Sequence, residues 1–405
     1  MKIPEILSPA GNLEKLEIAY EYGADAAYVS GRDFSLRSYA GNFSDEELAK
    51  AAQLAQVKKK KIYAAVNIFA RNSDLEPISR HIAFLYDAGF DAIIVSDLGI
   101  MAIAKKSAPK MPVHVSVQAN NMNYMEALEW QKLGAKRVIL ARELSIDEIR
   151  EIREITPGLE LEAFVHGSVC MSLSGRCLLS NYLTGRDANA GECAQPCRWS
   201  YALVEEKRKG EYIGIAEDGR GTYIFNSKDI CTIDRIPELI GAGIDSFKIE
   251  GRMKGPHYTA VTALAYRRER DLYMASPKTY RFDGFSMTEL EKISHRQYFR
   301  GFYFEGGANA QHYPSSSYIA GYRFLGYASE AAGKTIALYV KGSFRTGEKV
   351  EVLNPDGVVF EACIAAIKDS EGIEQVYAAQ DKRYSIFLES EKEAVKYSIL
   401  RQKQV

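Results

Sequence analysis

The sequence predicts an α/β fold, a (β/α)8 barrel of the TIM type with a long cysteine-bearing insertion after its seventh strand and a small all-β barrel at the C-terminal end. Three observations carry this. A helix-glycine-strand joint recurs, eight strand-helix alternations fit within residues 1–275, and the alternation breaks once, where the cysteines gather.

The joints read AYEYGADAAYVS, LYDAGFDAIIVS, WQKLGAKRVILA and LIGAGIDSFKIE. Each closes a helix on a glycine (Gly23, Gly89, Gly134, Gly243), which takes the left-handed conformation without a Cβ penalty, and then enters a strand. Strands are expected at IPEILS, DAAYVS, KIYAAVNIF, DAIIVS, PVHVSVQ, RVILA, LELEAFVH and SFKIE. Their apolar runs suit parallel strands covered by helices. Helices are expected at about 11–23, 45–58, 74–89, 98–107, 124–134, 145–155, 230–243 and 256–273. A doubly wound sheet is the competing architecture, but no G-x-G-x-x-G follows the first strand, which weakens its dinucleotide-binding form.

Residues 170–230 form the insertion, far longer than the roughly two to six residues of an ordinary barrel loop, and it lies on the face where barrel active sites are built. Residues 276–330, rich in Tyr, Phe, Gly and Ser, read as a linking and packing segment. From 331 to 405, short alternating runs broken by turns such as Pro355-Asp356-Gly357 predict the small β-barrel, a type that serves as a partner or substrate platform.

Composition narrows the function classes. The chain has 405 residues with 52 Lys+Arg against 53 Asp+Glu, so bulk charge does not coat it with nucleic acid and any RNA contact must come from a local patch. The start lacks the apolar core of a secretory signal and no run approaches a membrane span, so a cytoplasmic protein is expected. Of six cysteines, Cys170, Cys177, Cys193, Cys197 and Cys231 crowd the insertion, and Cys363 stands apart. In a reducing compartment such crowding points to metal more than to disulfides. Only Cys193 and Cys197 have zinc-ribbon spacing, so four scattered thiolates favour an iron–sulfur cluster, with buried free thiols as the competing reading.

The run EAFVHGSVC (162–170), followed by SGRCLLS (174–180), resembles the signature of peptidase family U32, the collagenase-like proteins. Further family-like stretches are LSPAGNLEKL, FSLRSYAGNF, GECAQPCRW, FNSKDICTIDRIPELIGAGIDSFKIEGRMK and SHRQYFRGFYF. The resemblance implies O2-independent hydroxylation of the tRNA wobble uridine, of an rRNA cytidine or of a quinone precursor. It also implies a 4Fe-4S cluster, prephenate as co-substrate and, in some relatives, a homologous protein partner. Carried over, Cys170, Cys177 and Cys231 match cluster positions, and Cys193 is chosen as the fourth ligand over its alternative Cys197. The segment after the cysteine pair resembles the tRNA-hydroxylating branch.

At the carboxyl ends of the strands barrel logic places Ser8, Asn67, Asp97, Gln118, Arg142, Glu143, His166, Lys248, Glu250 and Arg252. His166, Glu250, Lys248 and Asp97 are the catalytic candidates, the first two for proton transfer. Arg142 and Arg252, with Asn67 and Gln118, are candidates for holding a small dicarboxylate or a phosphate. Arg37 and Asn42 join them on the family stretch. Each has a structural reading too: Asp97 could cap the next helix, and Arg142 and Glu143 could pair with neighbours. Arg198 and Trp199, with Lys207, Arg208 and Lys209, are the candidate RNA contacts on the insertion, whereas Lys58 to Lys61 read as a solvated helix end.

The function expected is an iron–sulfur-dependent tRNA hydroxylase acting on the wobble uridine with prephenate. A peptidase is the first alternative, although no G-x-S-x-G or H-E-x-x-H appears. A non-catalytic RNA-binding scaffold is the second, and the polar barrel mouth argues against it.

Overall fold

The computed structural model describes residues 2–35, 42–170, 179–186, 188, 192–196, 216–218, 221–223, 227–305 and 318–404. The chain alternates β1 (Glu5–Pro9), α1 (Leu13–Glu21), β2 (Ala26–Val29), α2 (Asp45–Val57), β3 (Lys61–Val66), α3 (Leu75–Asp87), β4 (Ala92–Val95), α4 (Leu98–Ser107), β5 (Val113–Val115), α5 (Tyr124–Lys132), β6 (Arg137–Ile139), α6 (Ile146–Ile155) and β7 (Glu160–Ser168). After the insertion, which contributes α7 (Leu179–Thr184) and the hairpin β8 (Ala216–Asp218) and β9 (Gly221–Tyr223), come β10 (Asp229–Cys231), α8 (Ile236–Gly241), β11 (Ser246–Ile249) and α9 (Pro256–Ala275). β1 to β7 pair in parallel in chain order, and β11 lies parallel to both β7 and β1, with Phe247 opposite Ala163 on one side and Ile6 on the other. Eight parallel strands therefore close the expected barrel.

The joint glycines explain its regularity. Gly23, Gly89, Gly134 and Gly243 all have φ between +80 and +101°, so each helix stops and reverses in the same way. At the opposite ends Asn12, Ser44, Asp97, Asn123 and Ser145 cap the helices that follow the strands, Ser44 and Ser145 in complete capping boxes. Apolar residues fill two layers. Ile6, Val29, Ile62, Ile93, Val138 and Phe247 face the helices, while Leu7, Tyr28, Tyr63, Ile94, Ile139 and Phe164 fill the lumen.

One expectation is corrected. The helix expected over 230–243 is a strand, a 3₁₀ turn at Ile233–Arg235 and only then α8. β7 overhangs its neighbours, and β10 pairs antiparallel with that overhang, Cys231 opposite His166 and Asp229 opposite Ser168. Backbone groups left open at the end of a strand claim residues that would otherwise begin the helix, and Pro237 fixes the later start. The same ladder lays the two ends of the insertion side by side, as the barrel reading required.

The segment after α9 holds α10 (Phe285–Leu290), β12 (Tyr298–Phe299) and α11 (Phe302–Glu305). The second barrel is built from β13 (Tyr322–Ala332), β14 (Thr335–Val340), β15 (Phe344–Arg345), β16 (Lys349–Leu353), β17 (Val359–Lys368), β18 (Glu374–Gln375), β19 (Tyr377–Ala378), β20 (Arg383–Glu389) and β21 (Ile399–Lys403). Its six main strands close in the order β16-β21-β13-β14-β20-β17, with β17 returning to β16. Tyr22 of the first barrel donates to the carbonyls of Leu353 and Tyr397 of the second, both at 2.9 Å. Arg401, fully buried, pairs with Glu351 of its own barrel and reaches Glu289 and His257 across the same junction. Among the described residues no helix is long and apolar enough to cross a membrane.

Candidate functional site

The lumen is polar at two levels. At the amino ends of the strands Arg137 donates to Glu5 at 2.7 Å, to Glu162 at 2.9 Å and to Glu160 at 2.8 Å. Tyr63 and Ser246 also donate to Glu5. Lys248 enters the same network, donating to Glu162 at 2.7 Å, with its ammonium 4.6 Å from the Tyr28 ring. Burial alone would raise the Glu162 carboxyl, but Lys248 and Arg137 outweigh it and hold the group below its usual range. Lys248 is thus 4% exposed and tied to a carboxylate inside the lumen, and the sequence placed it at the rim.

Above the Phe164 ring lies the mouth. Arg142 stacks 4.0 Å from that ring and pairs with the Glu250 carboxylate at a loose 3.8 Å. Its Nε has no hydrogen-bond partner among the described residues, although the side chain is almost fully buried. On the far wall Asn67 donates to Ser116 and to Gln118, both at 3.3 Å, and Ser96 fixes the Asn67 carbonyl at 2.7 Å. Arg252 donates to Ser35 at 3.2 Å, and Ser30 lies 3.5 Å from Asn42. The structure therefore brings Asn67, Gln118, Arg142 and Glu250 to the mouth, with Arg252 and Asn42 on its rim. A buried guanidinium with an unpartnered nitrogen among the described residues, at a mouth that also carries amides and hydroxyls, suits a small anion with further hydrogen-bonding groups.

Asp97 is placed differently. Its carboxylate accepts the Ile100 N–H at 2.9 Å as the N-cap of α4, so the capping reading applies.

His166 departs from expectation as well. Alternation from Glu160 through Glu162 and Phe164 would aim it into the lumen, but the pairing shifts between Lys248 and Ile249, leaving an extra residue on β7. Opposite Ile249, His166 turns outward and packs against Tyr258, Tyr266 and Tyr298 at ring distances of 5.4–5.7 Å. Burial, with His295 and Lys254 nearby, pulls its pKa down to about 3, so it is neutral in this enclosure. Two glycines make the enclosure possible. A Cβ on Gly167, at φ +106°, would stand 2.3 Å from the Glu250 carbonyl, and one on Gly251 would stand 2.4 Å from the Tyr258 ring. Tyr258 fills that space and donates to the Glu250 carbonyl at 2.7 Å, which fixes the backbone beneath the Glu250 carboxylate.

Of the cysteines, Cys170, Cys193 and Cys231 are described, all as free thiols. The Gln195 N–H donates to the Cys193 sulfur at 3.4 Å. Cys231 is buried beside the Tyr266 hydroxyl, and burial pushes its thiol up to about 12. The donor chemistry fits a sulfur-ligated centre, while among the described residues no three metal-ligating side chains stand together. Arg37, Cys177, Cys197, Arg198 and Trp199 lie outside the described residues.

Sequence reasoning missed Asn121, fully buried in the loop after β5, with neither amide atom partnered among the described residues. The run QANN (118–121) was its signal. It also missed the tyrosines of α9 around His166, which look in sequence like ordinary helix residues.

The family model for peptidase family U32 matches residues 11–312. A protein of Bacillus subtilis named tRNA hydroxylation protein P1 is 38% identical over 92% of this chain and 89% of its own length. One of Escherichia coli named tRNA hydroxylation protein P is 37% identical over 87% of each. A 23S rRNA 5-hydroxycytidine synthase of Escherichia coli is 34% identical over 72% of this chain, which spans 44% of that protein. The match of the model over most of the first barrel, and alignments that run on into the second, establish that this chain belongs to peptidase family U32.

Proposed function

We propose that the protein is an iron–sulfur-dependent, O2-independent tRNA hydroxylase that acts at carbon 5 of the wobble uridine with prephenate as co-substrate. Its relatives named for tRNA hydroxylation support RNA hydroxylation in general. The observation that carries the finer reading is the mouth guanidinium of Arg142, buried on Phe164 with its Nε unpartnered among the described residues. A dicarboxylate supplies the acceptor that this group lacks, and Arg252 at the rim meets the second carboxylate. Asn67 and Gln118, held by Ser96 and Ser116, present donor and acceptor groups to the edge of a base turned into the mouth. Glu250, on a backbone pinned by Tyr258, orients Arg142 and takes up a proton at its carboxylate.

Cys170, Cys177, Cys193 and Cys231 would hold the cluster, with Cys197 as the alternative to Cys193. Bound there, it would supply electron transfer beside the mouth. A cytoplasmic location and a homologous protein partner belong to the same reading. The peptidase alternative gains nothing from His166, whose Nδ1 lies 3.5 Å from a tyrosine hydroxyl in a closed apolar setting.

Nucleoside mass spectrometry of tRNA from cells lacking the gene, with and without complementation, tests the substrate. Loss of the hydroxylated wobble uridine and its return on complementation are expected, and unchanged tRNA would reject the reading. Iron and sulfide analysis of anaerobically purified protein tests the cofactor, a metal-free protein being the adverse result.

A further inference from the structure

We propose that Lys15, Lys341 and Arg383 form a phosphate-binding strip along which the RNA strand flanking the target nucleotide passes from the barrel mouth onto the C-terminal β-barrel. This rests on the RNA-modifying reading above.

The strip begins at the rim. Arg252 holds Ser35 through its guanidinium, and its carbonyl accepts from the Lys15 ammonium at 3.3 Å, near the start of α1. Lys341, on the turn after β14, stands close enough that it and Arg252, added to the larger effect of burial, lower the Lys15 pKa against the pull of Glu14. Three cations from two barrels thus meet where the second barrel touches the rim of the first. From there the strip follows the sheet. The Lys341 ammonium lies 4.4 Å from the Tyr339 ring, and Tyr339 stands in one cross-strand row with Tyr327 on β13 and Arg383 on β20. Tyr339 therefore holds Lys341 in place between the rim and Arg383.

The carboxylates nearby are largely engaged. Glu14 pairs with Lys341 at 3.4 Å, and Glu17 accepts from the Tyr397 hydroxyl. Even with Glu14 offsetting Lys341, the four cations Lys15, Arg252, Lys341 and Arg383 outnumber the carboxylates Glu14 and Glu17, in a chain of net charge −1 that has no general attraction for polyanions. Cations that start at the rim of the proposed nucleotide site and continue in a line match a phosphodiester backbone, and RNA is the occupant because its target base has to enter at that rim.

Fluorescence anisotropy with a labelled tRNA transcript carrying a wobble uridine, read at several salt concentrations, tests the strip in the full-length protein. Lys341→Glu/Arg383→Glu should weaken binding about tenfold and reduce the slope of log affinity against log salt by about 0.7 for each lost contact. If thermal unfolding reveals a damaged fold, Lys341→Gln/Arg383→Gln gives the same comparison with a smaller loss. Wild-type binding retained in full by both variants overturns the strip and leaves the hydroxylase reading intact, whereas a wild-type protein that binds no tRNA overturns both. Displacement of the RNA by polyglutamate at equal charge concentration would assign the strip to acidic polymers in general and also overturns it.

Discussion

In the lower half of the lumen Arg137 donates to three carboxylates, and Lys248 closes the set on Glu162. A few residues higher on the same strands, Arg142 meets one carboxylate at 3.8 Å and keeps an Nε without a partner among the described residues. Both guanidiniums are about 4% exposed, so burial does not separate them. What separates them is completeness. Charges that satisfy one another hold the strands in register, while a buried cation left short of acceptors is poised for a ligand. The two levels should therefore respond to mutation in opposite ways.

The largest effect is expected at the lower level. Glu162→Ala leaves Lys248 and part of Arg137 uncompensated and should destabilise the fold by about 3–5 kcal/mol, measured by urea unfolding. The pH dependence follows from the sign of the shift. The folded carboxyl sits below its ordinary value of 4.5, so its stabilisation is complete above that pH and is lost as pH falls through the lower folded value. Glu162→Gln should flatten that acid limb. A loss under about 1 kcal/mol would mean that the lower network is no firmer than a surface pair.

At the mouth the order reverses. Arg142→Gln should lower tRNA hydroxylation by roughly 10- to 150-fold, the worth of a charge-assisted hydrogen bond of about 1.5–3 kcal/mol, while unfolding shifts by about 1 kcal/mol or less. Equal losses of stability and activity would erase the distinction between the two levels.

How much of this was legible in sequence depends on range. The barrel was readable because each joint is local, a helix end, a glycine and an apolar strand, and the same chemistry repeats. Asn67, Gln118, Arg142 and Glu250 were readable because polar residues at strand ends break a local pattern. Lys248 was misplaced because its partner Glu162 is far away in sequence, and nothing near SFKIE reveals that the ammonium is already bound. Cys231 was set on a helix because the strand it joins exists only to complete the overhang of β7. His166 was turned the wrong way by one bulged residue, and alternation cannot register a bulge.

His166 offers a smaller but cleaner test of which side of the strand it faces. With a folded pKa near 3 against the ordinary 6.5, the neutral ring stabilises the protein above pH 6.5, and that contribution is lost as pH falls toward 3. His166→Gln should weaken this dependence in unfolding experiments and leave the pH profile of hydroxylation without a missing limb near 6.5. Disappearance of such a limb would return His166 to the proton-transfer role that the sequence suggested.

The smallest effect is expected at Asp97, where two substitutions separate helix capping from catalysis. The carboxylate accepts the Ile100 N–H at 2.9 Å, and an amide oxygen does the same work, so Asp97→Asn should keep both stability and activity. Asp97→Ala removes the acceptor and should lose about 1 kcal/mol, with hydroxylation unchanged once the protein is folded. A catalytic carboxylate would behave otherwise, since the amide cannot carry its charge or its proton, and Asn would then be as damaging as Ala. Activity lost in Asp97→Asn at unaltered stability would move Asp97 from the scaffold to the mouth. The division between satisfied and unsatisfied polar groups would then fail at a residue whose bond to Ile100 places it with the satisfied ones.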